Sequence, residues 1–160
     1  YGKENPENKV RIVTSFGNIE VMLYRDTPLH RANFIMLVKK GYFNNTFFHR
    51  VAPGFVIQGG NSDNVATPRK RSEIGDYLIP SEFDAGHKHT YGAFSAAKYS
   101  EQNVSKASSP FEFFIRALLG ININRNMLSI TKPLFISLLL TIFTASANNF
   151  GPVILRSGWV

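Results

Sequence analysis

Hydrophobic and polar residues alternate with a period of two near the start of the chain. The alternation covers residues 10–13 and 19–23, and the turn-forming residues 15–18 lie between the two runs. Successive side chains of a β-strand point to opposite faces of a sheet, so each run presents one apolar face. The pattern therefore predicts a β-hairpin over residues 10–24.

A short helix is predicted to follow the hairpin, over residues 28–40. Thr27 has a side chain that can cap a helix, and Pro28 is favoured at the first helical position. Gly41 allows the left-handed conformation that commonly ends a helix. Apolar residues recur between these ends at helical spacing, namely Ala32, Ile35 and Met36.

Two further strands are predicted at residues 46–52 and 55–59, separated by the turn-forming pair Pro53-Gly54. Residues 61–91 are rich in Pro, Gly, Asp and Ser and are predicted to form a long loop, of the kind that is uncommon unless it is functional. About six strands and one helix with long connections favour a mainly β fold, a closed antiparallel β-barrel with capping helix.

The two central strands carry long polar side chains among apolar ones. With side chains two apart on one face, Arg50 would share a face with Phe48, and Gln58 with Val56. Donors of this kind are costly to bury unless something accepts their hydrogen bonds. We therefore regard this pair of strands as a candidate site.

The composition fits a single domain, because 160 residues can bury a sizeable core and 14 Phe and 6 Tyr supply large side chains for it. The chain has no Cys, which excludes disulfides and thiol chemistry. A net charge of +7 could indicate a nucleic-acid partner. The one dense basic cluster, residues 69–71, lacks interleaved aromatic residues, and we interpret it as a solvated loop.

Three short motifs together resemble the cyclophilin-type peptidyl-prolyl isomerases. They are Phe48-His49-Arg50-Val51, then Pro53-Gly54-Phe55, then Gln58-Gly59-Gly60. The resemblance extends over residues 10–115 and includes 92–97 and 109–115, while residues 76–83 are most similar to bacterial forms. It implies an eight-stranded closed barrel with a helix at each end, and an isomerase that acts on X-Pro bonds without a cofactor.

The same resemblance implies roles for particular residues. Arg50 would be catalytic, although a plainer interpretation pairs it with Glu20 or Glu82. Gln58 would orient Arg50 and bind the substrate backbone through its amide, although it could instead stabilise the turn at Gly59-Gly60. Ala97 would form a backbone ledge for an extended peptide. The wall of a proline pocket would come from three residues, Phe55, Val56 and Phe114.

Several positions depart from the family pattern or have a plainer role. Glu112 stands where the family typically has Gln, and an acid there could pair with Arg50 and compete with substrate. His49 is expected to be buried and structural. Single Phe residues elsewhere are expected to pack in the core, as at Phe34, Phe47 and Phe113. His87 and His89 are expected to be exposed, and no metal site is predicted.

The chain divides into three parts on these criteria. Residues 1–9 are predicted to be a flexible lead-in, 10–115 a cyclophilin-like domain, and 116–160 a segment that departs from the family pattern. No Asp or Glu follows Glu112, and residues 134–145 form an apolar run too short to span a bilayer. A divergent native segment and an out-of-frame translation both fit this last part.

The sequence thus predicts a peptidyl-prolyl cis-trans isomerase for unfolded or flexible protein segments. The alternative is a proline-peptide binding module with little or no turnover, and a third hypothesis is a basic nucleic-acid-associated protein. We expect a monomer with no membrane span and no nucleic-acid partner. The bacterial character of residues 76–115 favours the periplasm or cell envelope, with the cytoplasm as the alternative.

Overall fold

The computed structural model of the chain describes residues 1–15, 17–60, 66–100, 102–117 and 154–157, the last four as backbone only. These residues form a mainly β structure with two α-helices and one short 3-10 helix, Phe83–Ala85. In chain order the elements are β1 Lys9–Thr14, β2 Gly17–Met22, α1 Pro28–Lys39, β3 Arg50–Ala52, β4 Val56–Gly59, α2 Ala66–Ile74, β5 Phe94–Lys98, β6 Ser108–Arg116 and β7 Ile154–Ser157.

The first sheet has the strand order β2-β1-β7, and both pairings are antiparallel. Its hairpin confirms the prediction from the period of two, with Val10 opposite Val21 and Ile12 opposite Ile19. All four of these side chains are buried. Strand β7 pairs with the other edge of β1, so part of the C-terminal segment belongs to this sheet.

The second sheet has the strand order β3-β4-β6-β5, again antiparallel. Within the described residues no strand pairing joins the two sheets. The alternation along β6 is regular: Phe111, Phe113 and Ile115 are buried in the core, while the residues between them are partly exposed. Strand β6 therefore separates a core face from an outer face.

The core lies between the sheets and helix α1. The helix contributes Phe34, Ile35, Leu37 and Val38 to it. Phe113 is surrounded by aromatic rings, with the centroid of Phe94 at 4.9 Å and that of Phe43 at 5.6 Å. The prediction of core packing is confirmed for Phe34 and Phe113 but wrong for Phe47, which is 38% exposed.

Helix α1 begins where the sequence predicts and ends one residue earlier, at Lys39, but its N-terminus is capped differently. Thr27 makes no capping hydrogen bond, because its hydroxyl donates to the Tyr24 carbonyl. The Glu82 carboxylate instead accepts the N–H groups of Leu29 and His30 at 2.9 and 3.0 Å. Gly41 follows the helix with a φ of +63°, as expected of a left-handed stop.

Residues 61–91 are not a continuous loop, because they contain helix α2 and the short 3-10 helix. The basic cluster 69–71 lies on α2. Lys70 donates to the Gly41 carbonyl at 2.8 Å, and the Arg71 guanidinium lies 4.9 Å from the centroid of the Phe111 ring. The interpretation of a solvated loop was therefore wrong, since two of its three cations anchor the helix.

The N-terminal lead-in lies against helix α1. The Arg31 guanidinium donates to the carbonyls of Gly2, Asn5 and Glu7, at 2.9–3.1 Å. Its predicted flexibility stays a prediction. At the other end of the chain, residues 118–153, and with them the apolar run 134–145, lie outside the described residues.

Candidate functional site

The outer face of the second sheet gathers most of the residues singled out by the sequence. The strand registers place Arg50 opposite Gln58 and Gln58 opposite Phe114. Directly paired residues share a face, and so do residues two apart along one strand. Val56, Glu112 and Arg116 therefore also belong to this face, which we call the outer face.

A chain of hydrogen bonds crosses the outer face from β3 to β6. Arg50 Nη1 donates to Gln58 Oε1 at 3.1 Å, and Gln58 Nε2 donates to Glu112 Oε2 at 2.9 Å. A guanidinium can only donate and a carboxylate can only accept, so the Gln58 amide has one orientation that satisfies both neighbours. Gln58 thus lies between Arg50 and Glu112 and holds the Arg50 side chain beside β4.

The plainer interpretation of Arg50, an ion pair with Glu20 or Glu82, does not describe this structure. Glu20 pairs with Arg11 across the first hairpin at 3.2 Å. Glu82 contacts His30 Nδ1 at 2.6 Å in addition to capping helix α1. Burial alone would raise the pKa of Glu82, but its hydrogen bonds from His30 and Leu29 lower that pKa below its ordinary value.

Two glycines after Gln58 allow the core to approach β4 closely. A Cβ at Gly59 would lie 3.1 Å from the Phe48 ring and 3.2 Å from the Phe113 ring. Gly60 has a φ of +102°, and a Cβ there would lie 2.2 Å from the Phe111 carbonyl oxygen. Side chains at these two positions would push β4 away from β6, so the glycines keep Gln58 in register with Phe114.

The apolar part of the outer face is made by Phe55 and Phe114. Phe55 follows the Pro53-Gly54 turn and is 52% exposed, whereas Val56, the next residue, is only 3% exposed. Phe114 is partly exposed at the centre of the face. Phe55 and Phe114 thus present ring surface to solvent, whereas the Val56 side chain is buried.

Ala97 lies apart from the hydrogen-bonded chain, on strand β5. The β5–β6 pairing is irregular between Ala96 and Lys98, and the side chain of Ala97 is 6% exposed. The predicted ledge stays a prediction.

Two residues of the outer face were missed by the sequence reasoning. Arg116, the last residue of β6, lies with its guanidinium 5.0 Å from the centroid of the Phe55 ring. His89 has its ring centroid 5.2 Å from that of Phe114, and its Nδ1 lies 2.9 Å from the Ser95 hydroxyl. The alternation 112, 114, 116 along one strand was a signal for Arg116, whereas nothing in the sequence pairs His89 with Phe114.

Two expectations about the central motif were wrong. Phe48 is buried, with its ring 6.0 Å from that of Phe113, so it does not share a face with Arg50. The rule that residues two apart share a face requires a strand, and β3 begins only at Arg50. His49 is exposed rather than buried, because it points away from the core that Phe48 enters.

The histidines of the 87–89 segment are exposed, as predicted, and each has a partner. His87 stacks on the Tyr24 ring with centroids 3.6 Å apart, and its Nε2 lies 2.8 Å from Asp26 Oδ1. Among the described residues, no three His, Asp or Glu side chains are grouped as metal ligands would be.

Comparisons with known proteins identify the family of this chain. The family model "Cyclophilin type peptidyl-prolyl cis-trans isomerase/CLD" matches residues 9–127, which extends beyond the boundary at Ile115 that the motifs suggested. The chain therefore belongs to the cyclophilin-type peptidyl-prolyl cis-trans isomerase family.

Two relatives match this chain over only part of their own length. It is 36% identical over 107 residues to peptidyl-prolyl cis-trans isomerase A of Dickeya dadantii, covering 66% of this chain and 52% of that protein. It is 37% identical over 117 residues to peptidyl-prolyl cis-trans isomerase-like 2 of Rhizopus delemar, covering 72% of this chain and 21% of that protein. The chain thus spans about half or less of the length of these relatives.

A solved structure shares the fold. A cyclophilin-type isomerase of Cryptosporidium parvum superposes with a TM-score of 0.65 at 22% identity, covering 96% of this chain and 99% of that one. A second crystal structure of that protein, obtained in the presence of the dipeptide Ala-Pro, gives a TM-score of 0.63 at 24% identity.

Proposed function

We propose that this chain is a peptidyl-prolyl cis-trans isomerase that acts on X-Pro bonds of unfolded or flexible protein segments and so assists their folding. The observation that carries the proposal is the hydrogen-bonded chain Arg50–Gln58–Glu112, which lies on the same sheet face as Phe114. The exposed Phe55 contacts Arg116 of that face. A permanent cation on the same face as one exposed and one partly exposed aromatic ring is suited to a proline, which has an apolar ring and a tertiary amide nitrogen.

The barrier to rotation about a peptide bond is about 18–20 kcal/mol, because rotation breaks amide resonance. An apolar pocket favours the twisted amide, whose charge separation is smaller than that of the planar form. Phe55 and Phe114 supply the apolar surface in this site. No covalent step is needed, and the proposal includes no cofactor or metal.

Arg50 would act on the prolyl nitrogen. When resonance is lost, a lone pair localises on that nitrogen, and a guanidinium N–H can donate to it. This hydrogen bond is stronger in the transition state than in either planar ground state, which is the condition for catalysis. One such donor contributes about 2–4 kcal/mol.

Gln58 would orient Arg50 and would bind the substrate backbone through its amide. Its Oε1 accepts from Arg50 and restricts the guanidinium to the outer face. Pre-orientation of this kind lowers the entropy cost of reaching the productive geometry. Glu112 completes the arrangement by fixing the Gln58 amide, so its carboxylate acts on Arg50 through Gln58.

The second candidate function is a binding module that holds proline peptides with little or no turnover. The observation that favours it is the carboxylate of Glu112 at the end of the same chain, since a nearby anion reduces the positive potential that Arg50 can present. Both candidates predict peptide binding, and only the isomerase predicts faster cis-trans exchange.

Three further features belong to the proposal. We infer that the two sheets are parts of one closed antiparallel barrel, supported by the superposition on the Cryptosporidium fold over 96% of this chain. We also propose a monomer in the periplasm or cell envelope of a bacterium, with the cytoplasm as the alternative. No helix among the described residues is long and apolar enough to cross a membrane.

The test compares turnover and affinity in Arg50→Ala. We expect kcat/KM for a proline peptide to fall about 100-fold or more, matching the loss of one transition-state donor, while peptide affinity falls far less. Exchange between cis and trans peptide is measured by NMR, and affinity by titration in the same samples.

Arg11→Ala is the matched control, because Arg11 is also a partly exposed arginine that donates to a side-chain oxygen, that of Glu20, but it lies on the other sheet. It should leave exchange unchanged. Equal losses of binding and turnover in Arg50→Ala would make Arg50 a ground-state ligand only. Binding without any exchange in the unmodified protein would favour the binding module.

A further inference from the structure

Arg116 is attached to the aromatic ring that the proposed function assigns to proline. Its Nη1 donates to the Phe55 carbonyl at 3.2 Å while its Cζ lies 5.0 Å from the centroid of the Phe55 ring. The backbone N–H of Ala117 donates to the same carbonyl at 2.9 Å. Arg116 therefore covers part of Phe55 and limits the positions that this exposed ring can adopt.

The charges of the outer face are unevenly distributed. The register places Arg116 opposite Val56, whereas Gln58, two residues further along β4, is opposite Phe114. Glu112, the acid of this face, contacts Gln58 at that second position. Among the described residues, the recorded partners of the Arg116 side chain are a carbonyl and a ring, and none is a carboxylate. The Phe55 end of the site is thus cationic.

We propose that Arg116 is a specificity-determining residue, which makes the site prefer proline segments that bear a carboxylate close to the proline. The proposal rests on the proposed function, because it assumes that the proline ring lies against Phe55. An arginine that donates one N–H to Phe55 keeps further donors in its planar fork, and this fork matches a carboxylate. An extended peptide advances about 3.3 Å per residue, so the carboxylate must lie within about two residues of the proline.

The size of the effect follows from the exposure of the site. An ion pair that remains in contact with solvent contributes little binding free energy compared with a neutral pair. The difference is equivalent to about two- to fivefold in affinity. The preference should weaken as salt is raised, because exposed charges are screened. Overall net charge could also favour acidic peptides, so the test must separate Arg116 from other arginines.

The experiment uses two peptide series, acetyl-Ala-Ala-Pro-Xaa-Ala-amide and acetyl-Xaa-Ala-Pro-Ala-Ala-amide, with Xaa as Glu, Gln or Lys. Affinity and cis-trans exchange are measured by NMR for each peptide. In at least one series we expect the unmodified protein to favour Glu over Gln about two- to fivefold and to disfavour Lys. Arg116→Gln should bring the Glu-to-Gln ratio close to one, and Arg116→Lys, which keeps the charge but not the planar fork, should retain only part of the preference.

Arg11→Gln changes net charge by the same amount and should leave the ratio as it is. Each ratio is taken within one variant, so a change in the folded fraction cancels. Equal ratios in the unmodified protein and in Arg116→Gln would overturn the role of Arg116 while leaving the isomerase proposal intact. Binding with no exchange would contradict the isomerase proposal, and the affinity ratios would still decide for or against Arg116. Absence of binding to every peptide would overturn both.

Discussion

Gln58 is the residue that connects the charged groups of the site. Its amide has a different hydrogen-bonding atom at each end, so it can accept from Arg50 and donate to Glu112 at the same time. A carboxylate in its place would lack the donor, and a lysine would lack the acceptor. Arg50 and Glu112 therefore depend on one neutral side chain for their separation and their geometry.

Phe55 and Phe113 provide a test of which aromatic rings serve the site and which serve the core. Phe55 is 52% exposed, whereas Phe113 is buried among other aromatic rings. We expect Phe55→Ala to weaken proline-peptide binding with little loss of stability. Phe113→Ala should lower the free energy of unfolding by about 3–5 kcal/mol, because it leaves a cavity.

Both variants are examined by urea unfolding and by peptide titration of the folded protein. A large loss of stability in Phe55→Ala, together with unchanged affinity in the folded fraction, would show that Phe55 packs in the core. In that case the apolar part of the site would have to be assigned elsewhere on the outer face.

At the scale of elements, helix α1 depends on a distant carboxylate. Glu82 accepts two N–H groups of the first turn, and an anion at this end of a helix also interacts favourably with the helix dipole. Glu82→Gln should lower the free energy of unfolding by about 1–2 kcal/mol at pH 7. Glu73→Gln on α2 is the control, since Glu73 makes an exposed pair with Arg69.

The contribution of Glu82 should also depend on pH in a defined direction. Its pKa is lower in the folded protein than its ordinary value of 4.5. A group with a depressed folded pKa stabilises the protein above its unfolded pKa, and this contribution is lost as pH falls through the folded pKa. Urea unfolding at several pH values should show the unmodified protein and Glu82→Gln converging below about pH 4.5, and a constant difference would contradict this account.

The elements differ in how well the sequence predicts them, for physical reasons. The first hairpin was predicted because each strand has one buried and one exposed face, which imposes a period of two. Helix α2 was missed because its anchors are cations, Lys70 on the Gly41 carbonyl and Arg71 on the Phe111 ring, so it has no apolar stripe to detect. A pattern of hydrophobic residues cannot show a helix that is held by charged groups.

The residues of the site within the central motif could be predicted from the sequence, whereas those that depend on strand register could not. The central motif indicated Arg50, Gln58 and Phe55, and the structure places them at one face. The burial of Val56 and the contact of Arg116 with Phe55 depend on the register of β4 with β6. Register is set by pairing between residues about sixty positions apart, which a single sequence does not display.

At the scale of the whole molecule, the C-terminal strand covers an edge of the first sheet. Strand β7 pairs with β1 from Val10 opposite Ser157 to Val13 opposite Ile154. Without it, β1 would present unpaired backbone groups, and exposed edges of this kind promote association between chains. These four residues therefore contribute to the domain although they lie in the segment that departs from the family motifs.

Removal of residues 154–160 tests this contribution. We expect a lower melting temperature and concentration-dependent association, measured by thermal unfolding and by light scattering during size-exclusion chromatography. A variant with Ser157→Ala in the full-length chain serves as the control, because it keeps the backbone of β7. An unchanged melting temperature and a monodisperse monomer after truncation would show that the β1–β7 pairing does not stabilise the protein.

The alternation along β6 has a consequence for how the protein responds to heat. Phe111, Phe113 and Ile115 enter the core. The alternating residues Glu112, Phe114 and Arg116 belong to the outer face, so one strand carries both sets of side chains. A local opening that freed the outer-face residues would also have to withdraw the aromatic rings from the core. The site therefore has no flexible hinge of its own on this strand, and thermal inactivation should coincide with global unfolding instead of preceding it.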